Sequence, residues 1–284
     1  MGLAIGIGIG SAFIGGETTP PTPPPPLVTS GLVLNLAGSN SSSLAEGSST
    51  WYDLTSNNYD GTLYNGATYT TDKGGGLSFD GIDDTLDLGT ILDGVIAGTS
   101  PTYTIQAWIK FDTLTDDVPY AWFTKYGSGN NRQLLIMARN ITSASYGGIR
   151  LEHIPYSRPD LSGSLPFTRF VRTSGPTTIT ADNIHNLTIT FDGSINTNNG
   201  LDRPTFYIDG VLQNKVLQFS YNALTNSFQA TGMRVSLNGT IGTGTTVELF
   251  PYAGTTYQTL VYDKVLTQEE VTQNFNSLNG RYGT

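Results

Sequence analysis

Hydrophobic and polar residues alternate with a period of two along much of the chain. The clearest stretch, TYTIQAWIKF from Thr102 to Phe111, has polar residues on most of one face. Its other face is formed by Tyr103, Ile105, Ala107, Ile109 and Phe111. This period predicts a half-buried β-strand.

Similar stretches, separated by turn-forming Gly, Asn and Asp, predict further strands along the chain. They lie in GLVLNLAG and at Leu77–Phe79, Leu86–Leu88, Tyr120–Lys125, Arg132–Arg139, Gly148–His153, Phe167–Arg172, Asn186–Phe191, Thr205–Ile208 and Val211–Leu212, then in MRVSLNG and TTYQTLVYD. Asp209-Gly210 is a strong hairpin signal between two of them. The weak pattern of Ser157–Thr180 predicts a long connection. The even spacing favours two packed antiparallel sheets.

One helix is predicted, at the end of the chain. A strand ending at Tyr262 is followed by Thr267, which can cap a helix, and Glu270, which completes a capping box. Val271, Phe275 and Leu278 then share one helical face. We expect Gly280 to end the helix with a positive φ. The fold class predicted is therefore all-β: a jelly-roll β-sandwich of two antiparallel sheets with one short C-terminal helix, preceded by an extended N-terminal arm.

Residues 1–16 form an apolar, glycine-rich segment, MGLAIGIGIGSAFIGG. They lack the charged start of a signal peptide and are short for a membrane span. Alternating glycines leave one face of a strand bare, so another backbone can approach closely. We predict a docking arm whose contact residues are Leu3, Ile5, Ile7, Ile9, Phe13 and Ile14; a floppy apolar tail is the alternative.

Residues 17–30 contain ETTPPTPPPP, which favours an extended polyproline II segment. No basic residue flanks it, which disfavours a ligand of a signalling domain. We interpret 17–30 as a semi-rigid stalk and 31–284 as one sandwich domain.

Composition narrows the classes of partner. The 284 residues have a net charge of −9 and contain no Lys/Arg cluster, which argues against a nucleic-acid surface. Cysteine is absent, which removes disulfides, thiolate catalysis and the common zinc sites. The acidic residues are mostly Asp, which suits turns and, in some loops, cations.

Six stretches of the sequence, taken in order, resemble one superfamily. They are GLVLNLAG, WYDLTSNNYDGTLYNGA, LSFDGIDDTLDLG, YTIQAWIKFD, NLTITFDG with PTFYIDGVL, and LVYDKVLTQEEVTQNF. Together they resemble the concanavalin A-like lectin/glucanase superfamily, in its laminin G-like and pentraxin-like branch. The ending VYDKVLTQEEVTQNFNSLNGRYG resembles those of such domains in tailed-phage virion proteins. The resemblance implies a twisted jelly roll, a fold that hosts lectins, glycosidases and scaffolds.

Two kinds of binding residue stand out. Asp80, Asp83 and Asp84 lie together in FDGIDD, and their oxygens could gather Ca²⁺; solvated acids in a tight turn are the alternative. Aromatic and amide side chains in Gly/Ser/Asn-rich loops suit a sugar, and equally a protein interface. The candidates for carbohydrate are Tyr126, Tyr146, Asn130 and Asn131.

The sequence offers little for catalysis. Glycosidases need two facing carboxylates, and the Glu-x-Asp-x-x-Glu string of the glucanases is missing. Glu152 and Glu248 each stand alone, and the two histidines, His153 and His185, form no metal pair. We expect no enzyme activity.

The sequence therefore predicts a non-enzymatic virion structural protein, such as a capsid decoration, head fibre, or neck or tail accessory protein. The arm would dock on virion proteins, and the head would display a lectin-like domain for host glycans. A homo-oligomer is expected, with a trimer favoured, and neither nucleic acid nor membrane as partner. The alternatives are a secreted or surface calcium-dependent lectin and a glycoside hydrolase.

Overall fold

The computed structural model describes residues 1–2, 23–126, 132–141, 148–155, 167–172, 179–195, 202–221, 227–228, 232–241 and 247–283. Residues 3–22, which include all six predicted contact residues of the docking arm and the first part of the stalk, lie outside these ranges. Within them the predicted fold class is confirmed: the chain folds into two antiparallel sheets with one helix of several turns at the end.

Sheet I has eight strands. In chain order they are β1 (Leu32–Ala37), β4 (Thr68–Thr70), β5 (Gly76–Asp80), β8 (Thr102–Phe111), β13 (Ile184–Asp192), β14 (Pro204–Ile208), β15 (Val211–Leu212) and β21 (Ala253–Tyr262). Their order across the sheet is β15-β14-β13-β8-β21-β5-β4, and β1 also pairs with β21. The first and last strands of the sandwich are thus direct neighbours.

Sheet II has nine strands. They are β2 (Thr50–Trp51), β3 (Gly61–Tyr64), β6 (Thr85–Gly89), β9 (Pro119–Tyr126), β10 (Arg132–Ile141), β11 (Gly148–Pro155), β12 (Phe167–Arg172), β16 (Lys215–Tyr221) and β18 (Val235–Leu237). Their order is β16-β12-β11-β10-β9-β18-β6-β3-β2. Two short ribbons complete the β-structure, β7 (Gly98–Thr99) with β17 (Ser227–Phe228) and β19 (Thr240–Ile241) with β20 (Val247–Leu249).

The core lies between the two sheets. The alternating apolar face of β8 is buried there, as its period predicts, and packs with residues of sheet II such as Trp122 and Ile136. Full burial of one such large side chain stabilises the fold by about 1.5–3 kcal/mol.

The second face of β8 is also buried, so the prediction of a half-buried strand was wrong. Thr104, Gln106 and Trp108 are at most 2% exposed because the C-terminal helix α2 (Gln268–Tyr282) and the segment before it cover this face. Thr104 shows how a polar residue is accommodated. Its hydroxyl donates to the Lys264 carbonyl at 2.8 Å and accepts from the Leu266 N–H at 2.9 Å.

Helix α2 starts as predicted and ends later. The capping box of Thr267 and Glu270 is present. Gly280, however, lies inside the helix and has no positive φ, so the predicted C-terminus was wrong. The two extra residues bring Tyr282 against Trp108 and Tyr257, where it is 1% exposed. This burial offsets the cost of a helical glycine, about 1 kcal/mol.

Two short turns of helix escaped sequence reasoning: a 3₁₀ turn at Asp72–Gly74 and the single turn α1 (Asp93–Ile96). Lys125, at the end of β9, fixes the second of these. Its buried ammonium donates to the carbonyls of Ile91 and Met233, both at 2.7 Å, and lies 3.2 Å from Asp93. Burial lowers the pKa of Lys125. No helix in the described part of the chain is long and apolar enough to span a bilayer.

Candidate functional site

A groove runs along the outer face of sheet I, between that sheet and the C-terminal half of α2. We call it the α2 groove. One cavity of 270 Å³ is lined by Trp108, Asn183, Ile184, His185, Asp209, Phe275, Asn279 and Gly283. A second, of 230 Å³, is lined by Asp72, Lys73, Lys110, Asp182, Asn183, Ile184 and Tyr282. Because Asn183 and Ile184 line both, the two cavities are adjacent, and we take them together as the α2 groove.

The apolar floor of the groove is formed by stacked rings. The ring of Phe275 lies nearly parallel to Trp108, with 5.4 Å between centroids and 14° between planes. Gly210, in the β14–β15 turn, approaches the other side of the Phe275 ring: a Cβ added there would lie 3.2 Å from Phe275 ring atoms. Gly210 has a φ of +74° and its neighbour Asp209 a φ of +51°, as a tight two-residue hairpin requires. The predicted Asp209-Gly210 turn is confirmed, and it positions one wall of the groove.

Helix α2 is held over sheet I by a buried amide, that of Asn274. Its Oδ1 accepts from the Val28 N–H at 2.8 Å, and its Nδ2 donates to Gln106 Oε1 at 3.0 Å and to the Tyr262 hydroxyl at 2.9 Å. Gln106 in turn donates to Asn186 Oδ1 at 2.8 Å. Burial raises the pKa of Tyr262, so its hydroxyl keeps the proton that it donates to the Val28 carbonyl. These contacts fix the position of the helix that forms one side of the groove.

His185 and Asp209 form a rigid pair at one end of the groove. His185 Nδ1 lies 2.8 Å from Asp209 Oδ2, and the Thr180 N–H donates to His185 Nε2 at 3.1 Å. A nitrogen that accepts an N–H carries no proton, so the proton is on Nδ1 and is donated to Asp209. Asp209 Oδ1 accepts from the Asn186 N–H at 2.7 Å. Both carboxylate oxygens of Asp209 are therefore engaged.

The arrangement resembles a catalytic triad, with Asp209 beside His185 and His185 beside the Thr180 hydroxyl, which would be the nucleophile. Thr180 Oγ1 lies 3.2 Å from His185 Nε2. However, the Thr180 N–H already uses the Nε2 lone pair, and Oγ1 also accepts from Asn183 Nδ2 at 2.8 Å. A general base needs a free lone pair directed at the proton it removes. The contacts therefore lock the turn before β13 in place and orient Asn183 at the groove.

The predicted sugar-binding residues are placed as follows. Tyr146, Asn130 and Asn131 lie outside the described residues. Tyr126 ends strand β9, and its side chain is 6% exposed in a cluster with Ala121, Leu135 and Met137. That position corrects the expectation of an exposed loop tyrosine, because a ring packed in this cluster offers no face to a sugar.

The predicted calcium ligands do come together. Single carboxylate oxygens of Asp80, Asp83 and Asp84 all lie within 4.8 Å of one another. Asp84 is 4% exposed; its Oδ2 accepts from the Asp80 N–H at 2.8 Å, whereas its Oδ1 has no hydrogen-bond partner among the described residues. Burial, followed by the charges of Asp80 and Asp83, raises the pKa of Asp84. An oxygen-only donor set with a buried, unpartnered carboxylate oxygen fits the requirements of Ca²⁺.

The carboxylates considered for glycosidase chemistry do not form a described pair. Glu152 lies in β11 and is fully buried. Glu248 lies in the ribbon strand β20, and its side chain is outside the description. Sequence reasoning also missed the α2 groove, apart from the turn at Asp209. Its walls come from residues far apart in the sequence, so no local spacing could have shown it.

The sequence matches no protein-family model, and no curated protein matches it. Solved structures do resemble the fold. Domain 4 of AbnA, a GH43 extracellular arabinanase from Geobacillus stearothermophilus, in complex with arabinotriose, is 16% identical with a TM-score of 0.50; the match covers 86% of this chain and 98% of that domain.

The binding domain of Paraclostridial Mosquitocidal Protein 1 has a TM-score of 0.59 at 16% identity, over 87% of this chain and 52% of that one. Trypanosoma rangeli sialidase in complex with sialic acid has a TM-score of 0.53 at 13% identity, over 89% and 34%. This chain thus spans about half of the toxin domain and a third of the sialidase. The fold shared with these structures is a jelly-roll β-sandwich. At such identities the likeness describes architecture alone.

Proposed function

We propose that this chain is a non-enzymatic structural protein of a phage-like virion, which displays a lectin-like head that recognises carbohydrate. The arm at 1–16 is the anchor to capsid, neck or tail proteins. The Pro-rich segment is the stalk, and the sandwich is the displayed module. The virion is accordingly the proposed location.

The observation that carries the proposal is how the end of the stalk is fixed to the head. The Gln273 amide donates to the Pro26 carbonyl at 2.9 Å. Val28 is bonded on both sides, its N–H to Asn274 and its carbonyl to Tyr262 at 3.0 Å. Its side chain is buried in a cluster with Leu266 and Val271. A head seated on its stalk in this way has a defined orientation, which a display module needs and a free enzyme does not.

Recognition of carbohydrate is supported by the fold. The AbnA domain, which this chain matches over nearly its whole length, was solved with arabinotriose, and the toxin domain is named a binding domain. The sequence lacks the Glu-x-Asp-x-x-Glu string of the glucanases, and glycoside hydrolysis requires two carboxylates that face each other across a cleft. Binding without catalysis is therefore the proposed activity of the head.

The anchor is tested by deleting residues 1–16 and measuring whether the protein co-purifies with particles. We expect intact particles that lack the protein. Unchanged incorporation would mean that the sandwich itself makes the contacts. Absence from particles even with the arm present would overturn the virion role and favour a secreted calcium-dependent lectin, for which the Asp80, Asp83 and Asp84 cluster is the supporting observation.

Self-association belongs to the same proposal. A stalked head without disulfides gains rigidity in a closed cyclic oligomer, and we propose a trimer. Light scattering of the purified full chain should give three times the protomer mass of 30.4 kDa. A monomer at micromolar concentration would contradict it.

A further inference from the structure

We infer that the α2 groove is the carbohydrate site and that it takes a short, unbranched, neutral oligosaccharide. This inference rests on the proposed function, because it supplies the location and ligand class for carbohydrate recognition.

The size and shape of the groove favour an elongated ligand. Its two parts, of 270 and 230 Å³, are each below the range of about 300–1,000 Å³ typical of small-ligand sites, and together they enter it. A larger cavity of 450 Å³ lies beside Glu46–Ser48 and Ala67–Tyr69. Its described lining has one aromatic ring, that of Tyr69, and no amide side chain, whereas the α2 groove has several rings and two amides, so we place the site in the α2 groove.

The polar groups of the groove match hydroxyl groups. The Asn279 amide offers donors and an acceptor, and a sugar hydroxyl both donates and accepts. Asn183 offers its Oδ1 as an acceptor, because its Nδ2 already donates to Thr180 Oγ1 at 2.8 Å and to the Ala181 carbonyl at 3.3 Å. Asn279 makes no side-chain hydrogen bond to the described part of the chain, so its amide is available. Ile184 and Phe275 add apolar surface for the C–H faces of sugar rings.

The charges of the groove favour a neutral ligand. Its second part carries two acidic residues, Asp72 and Asp182, against two lysines, Lys73 and Lys110. Lys110 is paired with Asp112 at 3.2 Å, and Tyr257 donates to Asp72 at 2.6 Å. Among the described lining residues, no positive cluster is left for a phosphate or sulfate group.

A peptide is the main alternative occupant, and the sheet disfavours it. Peptides commonly bind by adding a strand to a free sheet edge. The strands below the groove have none: β8 is paired with β13 and β21, and β13 with β8 and β14. A peptide would therefore have to bind through side chains alone.

The walls of the groove are preorganised, which reduces the entropy lost on binding. Asp209 is held by His185 and the Asn186 N–H, and Asn183 by Thr180. In addition, Asn186 lies opposite Trp108 in the register of β8 and β13, and its buried Nδ2 has no hydrogen-bond partner among the described residues. A donor without a partner thus lies beside a wall of the groove.

The experiment uses the full chain and an array of neutral oligosaccharides of three to five arabinose, xylose, glucose or galactose units, together with sulfated oligosaccharides of the same lengths. A bound glycan is then titrated by tryptophan fluorescence, since Trp108 lines the groove while Trp51 and Trp122 lie in the core between the sheets. The variants are Asn183→Ala and Asn279→Ala. The control is Asn276→Ala, the same change on the exposed side of α2.

We expect Kd to rise about tenfold for each groove variant, the loss of one hydrogen bond of about 1.4 kcal/mol, and to stay within about twofold for the control. Thermal midpoints should be equal, so that altered binding cannot come from unfolding. Wild-type binding that both groove variants retain would overturn the groove assignment and leave carbohydrate recognition standing. No binding of any glycan by the wild type would overturn both. Binding of sulfated glycans in preference to neutral ones would overturn the ligand class.

Discussion

Replacing Asn274 by Ala should destabilise the protein strongly, because this amide connects the stalk, the helix and sheet I. The change leaves two buried groups without their partner, the Val28 N–H and Gln106 Oε1. Each such orphan costs about 1–3 kcal/mol. The higher helix propensity of alanine adds about 0.5 kcal/mol to the free energy of unfolding of the variant. The net loss should be about 3 kcal/mol, or about 6–12 °C in Tm for a domain of this size.

The assay is urea unfolding followed by tryptophan fluorescence, with thermal unfolding as a second measure. Asn276→Ala is the matched control, because Asn276 is exposed on the same helix and should gain the same propensity term without losing a buried bond. Asn274→Asp separates the causes: it keeps the shape, so its loss comes from the missing donors and the buried charge. A difference below about 0.5 kcal/mol between the Ala variants, the size of an ordinary surface effect, would refute the role of Asn274.

Three further predictions follow from single contacts. In EDTA, Asp84→Asn should raise Tm at pH 7. The pKa of Asp84 is higher in the folded than in the unfolded state, so the protonated carboxyl group contributes its full stabilisation below pH 3.8. That stabilisation is lost as the pH rises through the folded pKa, whereas Asn stays neutral. Added Ca²⁺ should raise the Tm of the wild type alone; equal shifts in both would exclude this cluster. Gly254→Ala should cost several kcal/mol, because a Cβ there overlaps the Lys110 carbonyl oxygen at a φ of +154°, whereas Gly94→Ala, with open space, should be neutral. Lys125→Met should cost about 2–4 kcal/mol in urea unfolding, since the buried Met233 carbonyl and the part-buried Ile91 carbonyl lose their donor; a neutral result would show that water replaces the ammonium.

The sequence predicts the sandwich well because its strands carry a local signal. The period of two in β8 and the capping box at Thr267 depend only on nearby residues, and both are confirmed. Strand β16 escaped prediction although KVLQFSY is short and apolar. It pairs with β12, more than forty residues earlier in the chain, and a window around β16 does not contain that partner.

The second face of sheet I could not be predicted for a related reason. Thr104 and Gln106 have the composition of a solvent-exposed face, and they are buried only because groups on and before α2 satisfy their hydrogen bonds. The α2 groove depends on the same packing. Only the packing of the helix on the sheet brings together Trp108, Asp209 and Asn279.

The hydrogen bonds that fix the end of the stalk to the head also have a mechanical consequence. In the proposed role, tension between an anchored arm and a bound head enters the sandwich at Pro26 and Val28, and passes through Gln273 and Asn274 to helix α2. The element that carries this load is α2, which also forms one side of the groove. In that proposed role, pulling on the stalk would displace α2 and with it one side of the groove, so ligand binding would depend on the tension in the stalk.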